Sequence, residues 1–176
     1  ARPETVQAHT KKTFLKEYTI TETAIPVLSG KAVGMGIVSG PVKIIKTLAD
    51  SAKVNEGDII VADITNPDWN ALLRKAISIV TNKGGRTSHA SIVARELGIP
   101  AVVGTIHATE KLVDGQTITV SCANGDEGLV YPKQLLWEEK EVLLKTIPST
   151  KTKPMLILAD PSKALMAATY PNQGIG

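Results

Sequence analysis

The run from Ile59 to Val103 constrains the fold most. It reads as three short apolar strands separated by two helices. Ile59-Ile60-Val61-Ala62 is the first strand, Ile77–Thr81 the second and Ala101-Val102-Val103 the third. Brief apolar runs of this kind, bounded by turn residues, mark strands buried on both faces. Asn66-Pro67-Asp68 supplies an N-cap, a proline at the first helical position and an acid in the first turn. A helix is therefore predicted from Pro67 to about Ala76. A second helix is predicted from near Ser88 to Leu97, stopped by Gly98 with Pro100 following. Strand, helix, strand, helix, strand predicts parallel pairing.

Hairpin-like segments flank this centre. From Leu28, glycines punctuate apolar residues and Pro41–Lys46 alternates, which reads as strand, turn, strand. Asp114-Gly115 and Asn124-Gly125 are hairpin turn pairs on either side of a strand over Thr117–Ser121, with Gly128–Tyr131 next. Residues 9–25 are polar, with a helical option around Phe14, Leu15 and Tyr18. Residues 134–146 read as a helix, Pro154–Ala159 as a strand and Ser162–Ala168 as a further helix. Gly34-Met35-Gly36-Ile37-Val38-Ser39-Gly40 nearly spells a dinucleotide fingerprint. Its last glycine is one place late and Pro41 opens a strand instead of a helix, so that reading is rejected. The fold class is mixed α/β.

Composition narrows the functions. The 176 residues carry 20 Lys and Arg against 17 Asp and Glu, with the basic residues scattered. Two Trp, three Tyr and one Phe offer few stacking platforms, which disfavours nucleic-acid binding. No apolar run approaches the roughly 18 residues that span a bilayer. The one cysteine, Cys122, excludes an internal disulfide and a cysteine-cluster zinc site, and a cytoplasmic setting is expected. The chain opens on Ala1 and ends on Gly176 in a run that reads as unfinished, so it is expected to be a piece of a longer polypeptide.

The chemistry lies in Gly84-Gly85-Arg86-Thr87-Ser88-His89-Ala90-Ser91-Ile92-Val93-Ala94-Arg95, at the junction of the second strand and second helix. Gly84 and Gly85 let the backbone approach an anion, and the first amides of the helix point at it. Thr87 and Ser88 can cap the helix and donate hydroxyl hydrogen bonds. Arg86 adds positive charge. His89 falls in the first helical turn, where the positive end of the dipole favours a neutral, nucleophilic imidazole. These are the parts of covalent phosphoryl transfer through histidine. A capping or surface histidine after an ordinary glycine turn is the competing reading, and the residues alone leave both open.

The same stretch resembles, at every position, the phosphohistidine signature of the phosphoenolpyruvate-utilising enzymes. The resemblance implies that His89 is the phosphoryl carrier. It implies a three-layer β/β/α swivelling phosphohistidine domain over 28–137, flanked by linkers over 9–27 and 138–153. Residues 1–8 resemble the tail of an ATP-grasp domain, in which Arg2 would contact nucleotide phosphates. Residues 154–176 resemble the truncated start of a barrel that binds phosphoenolpyruvate and pyruvate. The implied reaction moves a phosphoryl group from ATP through His89 to pyruvate, leaving AMP and phosphate. Magnesium would serve the flanking domains, and no metal ligand is expected in this chain. Thr65, in Thr65-Asn66-Pro67-Asp68-Trp69, matches a family threonine near the histidine. Thr87 matches the target of a regulatory kinase/phosphorylase. Partners implied are the two flanking domains, with a homo-oligomer open as a further association. A family branch using inorganic phosphate instead of water as acceptor is the nearest alternative. A non-catalytic binding module on the same fold is the more distant one.

Overall fold

A computed structural model describes residues 14–143, 151–158 and 172–174. The chain divides into two compact units, one of residues 17–139 and one of residues 1–16 with 140–176. In the second, the described residues hold two backbone hydrogen bonds, Leu156 N to Gly174 O at 2.9 Å and Gln173 N to Pro154 O at 2.8 Å. The strand read over Pro154–Ala159 is reduced, among its described residues, to a single bridge at Leu156. The helix read over Ser162–Ala168 lies outside the described residues, as does Arg2.

The strands are β1 (Phe14–Ile20), β2 (Leu28–Val33), β3 (Ile37–Ile44), β4 (Ile59–Ala62), β5 (Ser78–Thr81), β6 (Ala101–Val103), β7 (Thr117–Asn124), β8 (Glu127–Tyr131) and β9 (Trp137–Leu143). Helices α1 (Asn70–Leu73), α2 (His89–Leu97) and α3 (Ala108–Lys111) join them, with 3-10 turns at Leu48–Lys53 and Pro67–Trp69. Strands β2 to β8 close into a barrel in the order β2-β6-β5-β4-β3-β7-β8. Its β3-β4-β5-β6 arc is parallel, as the alternation of strands and helices predicts. The remaining pairings, including β8 back onto β2, are antiparallel.

The period-two alternation of strands sorts the apolar residues into two cores. Ile59, Val61, Val80, Val102, Ile118, Val120 and Val130 fill the barrel interior. Ile60, Ala62, Ile79, Ala101 and Val103 face outward and meet Trp69, Leu72, Leu73, Ala90, Val93 and Ala94 from the helical segments. The two β layers are thus opposite walls of one barrel, and the helices form the third layer outside one wall. Both faces of β4, β5 and β6 are covered, which explains their unbroken apolar runs. Each fully buried aliphatic side chain here contributes about 1.5–3 kcal/mol of transfer free energy.

Four expectations need correction. Residues 137–143 form β9, not a helix, and pair with β1, which occupies the stretch around Phe14–Tyr18 read as a helical option. The backbone groups ahead of β9 are taken by distant partners. Leu135 N donates to Thr119 Oγ1, Leu136 N donates to Glu22 Oε1, and Leu136 O accepts from Thr21 N. Tertiary pairing overrides the helical propensity of the Glu-rich run. Asp114-Gly115 does form a turn, but no hairpin: β7 pairs with β3 and β8, while α3 precedes the turn. The predicted helix from Pro67 is shorter than read, a 3-10 turn running into α1 and ending at Leu73.

Candidate phosphohistidine site

His89 opens α2, one loop beyond the carboxyl end of β5. The loop is shaped by a tight turn in which Ser88 N donates to Gly85 O at 3.0 Å, leaving Arg86 and Thr87 at its exposed centre. Ser88 takes the N-cap position, yet its hydroxyl does not cap the helix. It pairs instead with Ser91 Oγ at 3.1 Å, and Ser91 Oγ donates onward to Gly85 O at 2.7 Å. The capping role expected for Thr87 and Ser88 is replaced by this hydroxyl relay, which ties the first turn of α2 back to the glycine pair.

Gly84 has φ 116, a conformation open only to glycine, and a Cβ there would lie 2.9 Å from Ser88 Oγ. The loop is gripped from behind by the segment after β6. Gly104 has φ 73, and a Cβ on it would lie 2.9 Å from the Gly84 carbonyl oxygen. Thr105 donates twice to Thr81 O, through its amide and its hydroxyl, each at 3.0 Å. Ile106 N donates to Asn82 O, while His107 N donates to Thr105 O at 2.8 Å across a three-residue turn. That turn holds Ile106 at φ 71, where a β-branched residue is strained. The hydrogen bonds on either side enforce the strain, a pattern that clusters at functional sites.

Asn82 is the central clamp. Its Nδ2 donates to Asp63 Oδ1 at 3.1 Å and to Thr109 Oγ1 at 2.7 Å, and its Oδ1 accepts from Thr109 N at 3.0 Å. Asp63 also receives Lys83 Nζ at 2.7 Å, and its carbonyl accepts from Lys83 N at 2.9 Å. The Lys83 ammonium first, and the Asn82 amide second, hold the Asp63 carboxyl below its ordinary value. Two loops leaving the neighbouring parallel strands β4 and β5 are thereby stitched together. Thr65 lies on the first and His89 follows the second.

Two of the residues singled out from sequence share one feature. His89 Nε2 and Thr65 Oγ1 are buried and find no hydrogen-bond partner among the described residues. An orphaned buried polar atom costs about 1–3 kcal/mol and calls for an explanation. Arg86 forms an ion pair with Asp126, on the hairpin between β7 and β8. Thr87 is exposed. Gly84, Gly85, Arg86, Thr87, Ser88 and His89 therefore form one contiguous loop, with Thr65 on the adjoining one. Sequence reasoning missed Asn82, Asp63, Gly104, Thr105, Thr109 and Asp126. Only Asn82, placed between a strand and a glycine pair, carried a signal.

Among the described residues, no three His, Cys, Asp or Glu side chains converge on a point where a cation could sit. The magnesium implied by resemblance has no ligand set in them. Among the described residues, no helix is long and apolar enough to cross a membrane.

The site is thus a histidine at the head of a helix, behind a clamped glycine loop, on a barrel with one helical layer. Residues 54–125, which include the whole Gly84–Arg95 run, match the mobile domain of the PEP-utilising enzymes. Over its whole length it is similar to phosphoenolpyruvate synthases, at 47% identity to that of Aquifex aeolicus, 47% to that of Deinococcus radiodurans and 44% to that of Escherichia coli. The chain is covered completely in each case but spans only 21–22% of the length of those relatives.

Proposed function

We propose that this chain is the phosphoryl-carrier segment of a phosphoenolpyruvate synthase, a pyruvate, water dikinase, with His89 as the residue that holds the phosphoryl group. The observation that carries the reading is the buried, unpartnered Nε2 of His89 behind the clamped loop. Among the described residues no group engages that nitrogen, so its orphaned state is explained if it is the atom that bonds phosphorus. It is covered in the resting fold, so the ring must turn out of the loop before transfer.

The nitrogen attacks the β-phosphorus of ATP, forming an N–P bond as the bond to AMP breaks and leaving a pyrophosphoryl group on His89; water then attacks the terminal phosphorus, breaking the β–γ bridge and releasing phosphate. The carried group then passes to the enolate oxygen of pyruvate, breaking the N–P bond and freeing the imidazole. The loop contributes fixed backbone amides at the head of α2, together with the Thr65 hydroxyl, to the phosphoryl oxygens. ATP and pyruvate, with magnesium, would be held by an ATP-grasp domain and a barrel elsewhere in the polypeptide, to which 1–8 and 154–176 would belong. Arg2 would serve the nucleotide there. The carrier over 28–137 would swing between them on 9–27 and 138–153. Arg86 and the Ala1–Gln7 run favour the water-using synthase over a dikinase that uses inorganic phosphate. Thr87, exposed at the turn, is open to a regulatory kinase/phosphorylase, and a phosphate there would set about two negative charges beside the nucleophile. A cytoplasmic setting agrees with a single cysteine, Cys122, that is buried and outside any disulfide.

The test is chemical. The full-length polypeptide, given ATP labelled at the β-phosphate, should acquire acid-labile label within this segment. His89→Asn should abolish it. Label that persists in that variant defeats the assignment.

A further inference from the structure

The ion pair between Arg86 and Asp126 joins two parts of the fold that no backbone hydrogen bond connects. Arg86 sits at the centre of the turn closed by Ser88 N and Gly85 O, three residues ahead of His89. Asp126 lies at the tip of the β7–β8 hairpin, next to Gly125 and beside the Asn124–Glu127 register that closes the strands. The Asp126 backbone is fixed, because its carbonyl accepts from Ala32 N at 3.0 Å. The hairpin is therefore a rigid arm, and its carboxylate is held out to the guanidinium. Asp126 also shares a surface groove with Lys31, Glu127, Ile106 and Gly104, the residue seated against the Gly84 carbonyl. The groove adjoins the histidine loop through Gly104.

The strength of the pair decides what it can do. The side chains are 50% and 83% exposed. Exposed pairs of this kind are weak and screened, too weak to staple a fold. A phosphoryl group offers a guanidinium two or more anionic oxygens and bidentate geometry, a stronger claim than one exposed carboxylate. An arginine with no partner would sample many rotamers and lose that freedom on meeting the phosphoryl group.

We propose that Asp126 is a positioning residue that parks Arg86 while His89 is free, and that Arg86 leaves Asp126 for the phosphoryl oxygens once His89 is loaded. The inference rests on His89 being the phosphoryl carrier. In linkage terms, Asp126 stabilises the unloaded state and so lowers the equilibrium level of phosphohistidine. The vacated carboxylate also keeps the loaded state from becoming a trap, since it waits to recapture the guanidinium when the phosphoryl group departs.

The experiment measures the equilibrium between free and phosphorylated His89 in the full-length polypeptide at fixed ATP, AMP and phosphate, using acid-labile label. Asp126→Asn should raise the phosphohistidine equilibrium constant by about two- to fivefold, with an unchanged unfolding midpoint. Asp126→Glu should restore most of the wild-type value. In an Arg86→Gln background, Asp126→Asn should have no effect, because the guanidinium that it releases is gone. An unchanged or lowered constant in Asp126→Asn overturns the proposal, as does an equal rise in the Arg86→Gln background. If the wild type labels and the variants match it, only the parking role falls. If the wild type does not label at His89, the carrier reading falls with it.

Discussion

Asn82→Ala tests whether the histidine loop is held by the clamp or by the barrel alone. The substitution removes the two bonds donated by Nδ2 and the one accepted by Oδ1. At about 0.5–1.5 kcal/mol for each of the three bonds, the loss sums to about 1.5–4.5 kcal/mol, with Thr109 N–H losing a partner at a half-buried site. Thr109→Val removes only the hydroxyl contact and should cost about 1 kcal/mol. Urea unfolding reads both: with a slope of about 2 kcal/mol per molar, Asn82→Ala should lower the midpoint by about 0.8–2.2 M. The two residues touch, so the double variant should fall short of the sum. Labelling of His89 from ATP should fall in Asn82→Ala even where the chain is folded, because the loop after β5 loses its tie to β4. A destabilisation below about 0.5 kcal/mol, or full labelling in a folded variant, would refute the clamp.

Two further outcomes follow from the same loop. Gly104→Ala forces an L-residue to φ 73 and sets a Cβ 2.9 Å from the Gly84 carbonyl oxygen; it should cost about 2 kcal/mol in urea unfolding and slow phosphohistidine formation. The Lys83 ammonium holds the Asp63 carboxyl below its ordinary value of 3.8, and a depressed carboxyl contributes stability that is present above that value and is lost as pH falls through the lower, folded one. Its side-chain carbon, followed by NMR, should therefore titrate below 3.8 in the wild type. In Lys83→Met the midpoint should move up, and an unmoved midpoint would show that Lys83 is not the main cause.

Much of the fold was legible because local signals and tertiary need agreed. The strands over 59–62 and 101–103 have apolar residues on both faces because barrel and helices bury both. Asn66-Pro67 opened the first helical segment, and Gly98 closes α2 as its C-cap. Residues 134–143 were misread because Glu138–Glu141 suits a helix, and nothing local reveals that Thr21 and Glu22 will claim the backbone at Leu136. Barrel closure was also hidden, since β2 meets β8 only after about a hundred intervening residues. The loop carrying His89 was legible because its demands are local: glycines for backbone shape and a helix head for amides. Its supports were not. Asp63, Thr109 and Gly104 reach it across 19, 27 and 20 positions of sequence, and Asp126 is a lone acid beside a hairpin glycine.

The bonds at Leu136 have a consequence for how such a module can be moved between proteins. Thr21 binds Leu136 O through both its amide and its hydroxyl, at 3.1 Å each. Glu22 accepts from Leu136 N at 2.8 Å and pairs with Lys133 at 3.1 Å. The two ends of the barrel unit are thus pinned side by side, and everything between them is a loop closed on itself. A host polypeptide would see only two adjacent chain ends, the separation that a surface turn already spans. Cutting at that pin should release a self-contained cassette that can be grafted into another scaffold, or circularly permuted by joining its ends, without a single barrel hydrogen bond being redrawn.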